Sequence, residues 1–229
     1  MIGLAFALEH EAAGLLPELQ GADRFLVRDL ICHTGMLHGQ PVVVAIVGMG
    51  AATAGRRAAL LAEHFALEVV VLAGYAGALT PELKRNTPVL AVNYLSPAAE
   101  PWAARLGPVA RAPLHSSAEV AGTPEARQRL AEAGYALVDM ETAAVAAALA
   151  PRAIPFLPLR VISDEAGDVL PTAALAASFD LEKQKPAVLP LLAHLLRHPS
   201  QIGPFAAFVR HLAPARAALT QAVRSLLAA

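Results

Sequence analysis

The chain alternates between short apolar runs and segments of helical periodicity. "MIGLAFAL" reads as a buried first strand, and "EHEAAGLLPEL" as a loop or the start of a short helix. "FLVRDLICHTGMLHGQPVVVAIVGMG" reads as a hairpin of two strands turning near Gly35 to Gln40. "AATAGRRAALLAEHF" places Leu60, Leu61 and Phe65 near helical spacing, with Arg56, Arg57 and Glu63 on the polar side. "LEVVVLAGYAGAL" is continuous, β-branched and bounded by glycines, which suits a strand covered on both faces. "TPVLAVNYLS" predicts another strand, and the Pro-, Ala- and Ser-rich stretch 97–122 predicts loops that cover a site.

"TPEARQRLAEAG" predicts a helix with Thr123 as N-cap, Pro124 at its first position and Gly134 closing it. "YALVDM" is a short strand, "ETAAVAAALA" a helix ended by Pro151, and "IPFLPLRVISD" a strand ending in Asp164. Beyond Pro171 the pattern is helical, with Pro186, Pro190, Pro199, Pro204 and Pro214 as expected breaks. Strands alternating with helices predict an α/β fold: a central, mostly parallel twisted sheet flanked by helices. We expect one α/β domain over 1–185 and a helical C-terminal extension, 186–229, packed on it.

Composition narrows the function classes. Of 229 residues, 56% are hydrophobic and 16% charged, so the chain can bury a large core. A formal net charge of −1 argues against a general nucleic-acid binder. Cys32 is the sole cysteine, so neither an intrachain disulfide nor a cysteine metal cluster can form. No histidine pair has helical metal spacing, and no cofactor is expected. The opening residues lack a basic region and soon meet Glu9 and Glu11, unlike a signal peptide, and a cytoplasmic location is expected. "GMGAATAG" has Thr53 where a dinucleotide fingerprint needs its third glycine.

In open parallel sheets, ligands bind beyond the carboxyl ends of the strands. Several acids and glycines stand there: Glu11, Gly48 to Gly50, Gly74 to Gly77, Asp139, Glu141 and Asp164. The acids in "ALVDMETAAVAAALA" therefore suit a strand-to-helix joint, with Asp139 capping the helix and Glu141 pointing into a crevice. The residues also allow plainer roles: Glu141 complementing a helix dipole, Asp164 capping a turn, Glu11 in a solvated turn.

These elements, in order, resemble the nucleoside phosphorylase/nucleosidase superfamily. "GLAFALEHEAAGLL", "VVVAIVGMGAATAGRRAALL", "VVVLAGYAGALTPELKRNTPVLAV" and "VDMETAAVA…IPFLPLRVISDEAG" carry the resemblance over roughly residues 1 to 170. The "DME" helix and the R-x-x-S-D strand end are its specific parts. "RVISDEAGDVLPTAAL" and the Pro-broken tail resemble the hopanoid-associated phosphorylase branch.

The resemblance implies cleavage of the N-ribosidic bond of a purine nucleoside or an adenosylhopane-like nucleoside lipid. Asp164 would be the general acid for the purine N7, with its proton retained by burial. Glu141 would hold the ribose hydroxyls, Met140 would pack on the sugar, and Glu11 would orient or deprotonate water. Gly48, Gly74 and Tyr75 would border the substrate. Inorganic phosphate is the candidate co-substrate, and a homo-oligomer is expected.

Three departures stand out. Tyr75 replaces the family's serine, Leu72 stands where phosphorylases place an arginine, and no aromatic occurs in "PLHSSAEV". Arg56, Arg57 and Arg160 are substitutes for that arginine only by elimination. These departures weaken phosphorolysis relative to hydrolysis and leave the base open. They also motivate two alternatives: a methylthioadenosine-type nucleosidase, and a degenerate member that binds a nucleoside-like ligand without cleaving it. The tail arginines and histidines suit either ordinary packing or a weak membrane-surface contact.

Overall fold

The computed structural model describes residues 1–228. In chain order the elements begin with β1 (Ile2–Phe6), α1 (Glu9–Ala12), β2 (Gln20–Val27), β3 (Leu30–Leu37), β4 (Gln40–Ile46), α2 (Ala51–His64) and β5 (Val69–Ala78). β6 (Pro88–Ala91), α3 (Glu100–Ala104), β7 (Ala110–Ala112), β8 (Leu114–Ser116), α4 (Pro124–Glu132) and β9 (Leu137–Asp139) follow. The chain then forms α5 (Thr142–Leu149), β10 (Phe156–Asp164), α6 (Thr172–Ser178), β11 (Phe179–Asp180), β12 (Lys185–Pro186), α7 (Val188–Arg197) and α8 (Ile202–Ala228).

Ten strands form one mixed sheet, ordered β2-β3-β4-β1-β5-β10-β6-β7, with β9 pairing β5 and β8. Its centre, β4-β1-β5-β10, is parallel. Alternation along those strands divides the core. Ile2, Leu4, Phe6, Val69, Val71, Leu157 and Leu159 face a layer that includes Leu219, Val223, Leu226 and Leu227 of α8. Ala5, Val43, Ala45, Val70 and Leu72 face α2 and α5 instead. The two periods, 2 for a strand and 3.6 for a helix, are what make both layers continuous. The expected α/β architecture is the one observed.

Some elements differ from expectation. The predicted hairpin is a three-stranded antiparallel meander, because Arg28 takes a left-handed φ of 56° and turns the chain between β2 and β3. The 97–122 stretch includes α3, β7 and β8 rather than loops throughout. Pro214 does not break α8 but lies inside it, at the cost of one backbone hydrogen bond. Pro190 and Pro204 fall in the first turns of α7 and α8, where the missing N–H has no intrahelical partner to lose. The tail has two characters. The second half of α8 belongs to the main core, whereas α7 has no buried residue at all.

Candidate active site

Glu11, Glu141 and Asp164 come from three chain segments, at the ends of β1, β9 and β10, and line one cavity of about 700 Å³. Glu11 is held by two backbone N–H groups that donate to its carboxylate: Leu8 N to Oε2 at 2.9 Å and Tyr75 N to Oε1 at 3.1 Å. Burial pushes its carboxyl above the usual range, against the pull of those bonds and of the Arg160 charge. Glu141 accepts a bond from Gly50 N at 2.8 Å. Its carboxyl is raised to about 7, first by burial and then by the charge of Asp139.

Asp139 lines the cavity wall but is occupied structurally. Its Oδ2 accepts from Thr142 Oγ1 at 2.5 Å and from Thr142 N at 3.1 Å, holding the first turn of α5. Arg160 Nη2 donates to the same oxygen at 2.5 Å, and both side chains are 1% exposed. Asp139 thus anchors a helix and neutralises a buried guanidinium, while Glu141, two residues on, is left to the cavity.

The glycines of "GYAG" are explained by close approach. A Cβ on Gly74 would lie 2.5 Å from Arg160 Nη1 and 2.8 Å from Glu11 Oε1. A Cβ on Gly77 would lie 2.7 Å from Asp164 Oδ2. Two charged groups and the acid at the end of β10 therefore need bare backbone in β5. A register shift against β5 between Ile162 and Asp164 carries Asp164 opposite Gly77.

Asp164 is not the isolated carboxyl that burial alone would imply. Its Oδ2 pairs with Arg127 Nη2, and Ser163 Oγ lies 2.6 Å from its Oδ1. Arg127 is 1% exposed and also donates to the carbonyls of Ala121 and Glu165. Sequence reasoning missed this residue. The available signal is that Arg127 shares a helix face with Leu130 and Ala131, three and four positions on, where an arginine is costly unless paired.

Met140 and Tyr75 also line the cavity. Gly48 and Gly74 do not, and Met49 takes the place expected of Gly48. At φ +87° a Cβ on Gly48 would meet Arg57 and Gln184 instead. Of the three arginines named by elimination, Arg56 and Arg57 pair with Asp29, away from the acids. Arg160 alone of the three reaches Glu11, and its buried Nε makes no hydrogen bond. His115 packs against Tyr135 outside the cavity.

Part of the cavity lining is apolar: Leu175 and Phe179, with Phe205, Phe208 and Leu212 of α8. Gln184 ties the segment after α6 to the Met49 backbone: Met49 N donates to its Oε1 at 2.7 Å and its Nε2 donates to Met49 O at 3.1 Å. The loop expectation for 97–122 holds in part, since Glu119, Val120 and Ala121 form one rim. Among the described residues, no group of three or more His, Cys, Asp and Glu is placed to hold a metal ion.

A profile of the phosphorylase superfamily matches residues 2–109 and 116–197. The 5'-methylthioadenosine/S-adenosylhomocysteine nucleosidase of Mycobacterium bovis is 38% identical over 82 residues, 36% of this chain and 32% of that one. The Shewanella denitrificans enzyme of the same name is 35% identical over 83 residues, 36% of each chain. The match thus spans about a third of the curated relatives' length. The Streptococcus pneumoniae MTA/SAH nucleosidase bound to 8-aminoadenine superposes with a TM-score of 0.74 at 19% identity, covering 100% of this chain and 99% of that one. The futalosine hydrolase of Helicobacter pylori gives 0.72 at 17%, covering 98% and 96%. At those identities the likeness is one of fold.

Proposed function

The chain belongs to the phosphorylase superfamily, and we propose that it cleaves the N-ribosidic bond of a purine nucleoside bearing a long apolar 5' substituent, such as a nucleoside lipid of the adenosylhopane kind. One observation carries this reading: three carboxyl groups line the same cavity as a set of leucines and phenylalanines. A purine and ribose suit the carboxyl groups, and a hydrocarbon suits the apolar lining. The curated relatives' names, nucleosidases of methylthioadenosine and adenosylhomocysteine, support the same bond as the target.

In this reading Glu141, when ionised, accepts the ribose hydroxyls and places negative charge near the oxocarbenium-like sugar. Asp164, in its protonated form, delivers a proton to N7 of the base as the C1'–N9 bond breaks and its electron pair leaves with the base, and the carboxylate left behind pairs with Arg127. Arg127 and Ser163 fix the orientation of that carboxyl. Glu11, whose carboxyl burial pushes up and which two backbone N–H groups hold in place, takes a proton from water as the water oxygen bonds to C1'. Water is favoured over phosphate, because Arg160, the one of the three arginines that reaches Glu11, is buried and committed to Asp139. Oligomerisation and location follow as expectations of the family.

The second reading, binding without cleavage, is favoured by the Arg127–Asp164 pair and by Tyr75 at the nucleophile side. Base release decides between the two. Purified protein is incubated with adenosine, methylthioadenosine, inosine and an adenosyl-lipid analogue, each with and without phosphate. Free base and ribose-bearing product without phosphate are expected, fastest for the lipid analogue. Sugar 1-phosphate appearing only with phosphate would overturn hydrolysis, and no base from any substrate would leave the binding reading.

A further inference from the structure

The helical arm is unusual in its charge as well as its exposure. From Lys183 to the end, the chain carries six of its 18 Lys and Arg and none of its 19 Asp and Glu. Of these six, Lys183 pairs with Asp180 and Arg224 with Glu18, while Lys185, Arg197, Arg210 and Arg216 make no ion pair among the described residues. Within the same arm α7 is amphipathic the wrong way round for a soluble helix. Val188, Leu189, Leu192 and Leu196 fall within an arc of about 100° at helical spacing. They are 53–78% exposed. Leu181, Ile202 and Val209 extend the apolar surface, also exposed. Leu181 and Val209 line the cavity as well, so the patch is continuous with the cavity mouth.

We propose that the outer face of α7, together with Leu181, Ile202 and Val209, docks on the surface of an anionic bilayer and presents the cavity mouth to it. A cluster of exposed leucines gains from the acyl boundary, and nearby cations gain at an anionic surface. A second copy of this chain suits the patch less well. A two-fold contact would set an arm with an excess of cations against itself. The docking itself stands on the arm alone; only the delivery of substrate through the mouth rests on the function proposed above.

The test is co-sedimentation of the full chain with vesicles of phosphatidylcholine alone and of phosphatidylcholine mixed with phosphatidylglycerol. Binding to the mixed vesicles is expected, weakening as salt is raised. Leu189→Glu combined with Leu192→Glu is expected to lower partition by roughly tenfold or more. Arg197→Gln with Arg210→Gln is expected to reduce the preference for the anionic vesicles while leaving the fold intact. Release of base from soluble adenosine is expected to be unchanged in both, since none of the four residues lines the cavity. Absence of wild-type binding to mixed vesicles overturns the proposal. So does undiminished binding of the leucine variant, or a dimer seen by light scattering that the leucine variant abolishes without any vesicle binding. Vesicle binding with no turnover of any nucleoside would retain the docking and remove the catalytic reading instead.

Discussion

The two parts of the cavity lining are built on opposite principles. In the acid part almost every polar atom is committed: Asp139 to Arg160 and Thr142, Asp164 to Arg127 and Ser163, Glu11 to two backbone N–H groups. The groups sit on the central strands and on short joints after them, which cannot shift without disturbing the sheet. The apolar lining comes instead from side chains of α6, β11 and the 27-residue α8, which offer the cavity no directional partner. The contrast suits chemistry that demands fixed geometry from one part and tolerance of a bulky, featureless group from the other. Buried charges need exact partners, whereas apolar contact is non-directional.

The largest expected effect breaks the acid part. Asp164→Asn should lower turnover of every substrate by roughly 100- to 10000-fold, the range for a lost general acid, as read by base release. Glu141→Gln should lower kcat/KM as well, and it should remove a pH feature. The wild type requires ionised Glu141, so its kcat/KM should rise with pH through about 7. A pH–rate profile that keeps this limb in the variant would assign it to another group.

Gly74→Ala comes next. Its Cβ would press on Arg160 and Glu11 at 2.5 and 2.8 Å, so activity should fall by roughly tenfold or more, with about 1–3 kcal/mol of stability lost by denaturant titration. Glu141 also predicts a stability effect. Its folded carboxyl lies above its unfolded value, so between about pH 4.5 and 7 the native state binds more proton than the unfolded chain. Stability should therefore fall as pH rises through that window, by about 3 kcal/mol in all, and Glu141→Gln should flatten the decline. The smallest effect sharpens the comparison from the apolar part. Phe208→Ala should raise KM for a long-tailed nucleoside by roughly tenfold and leave adenosine nearly unchanged. Equal losses on both would mean that Phe208 supports the acid part instead.

Much of this molecule was legible before folding. Strand period and glycine boundaries placed β1, β5 and β10, and Glu11, Glu141 and Asp164 stood out because acids follow the apolar runs of β1, β9 and β10. Thr123, Pro124 and Gly134 marked α4 by local capping chemistry, and Thr123 accepts from Ala126 N as its cap role requires. The Arg28 turn was missed because a left-handed arginine has no strong local signature. Pro214 was read as a break because local rules price the lost hydrogen bond but not the burial of Ala215, Leu219 and Val223 just beyond it.

The sequence by itself determined the elements, the alternation that divides the core into two layers, and which acids end which strands. These depend on period and capping, which act over a few residues. Tertiary structure alone decided that Arg127 meets Asp164, that Arg160 rather than Arg56 or Arg57 joins Glu11, and that Phe205 and Phe208 line the same cavity. Arg127 and Asp164 are 37 residues apart in the chain. The packing of α4 and α8 on the sheet, with the order of its strands, brings such groups together, and for the charged ones what selects the pairing is the cost of leaving a buried charge unpaired.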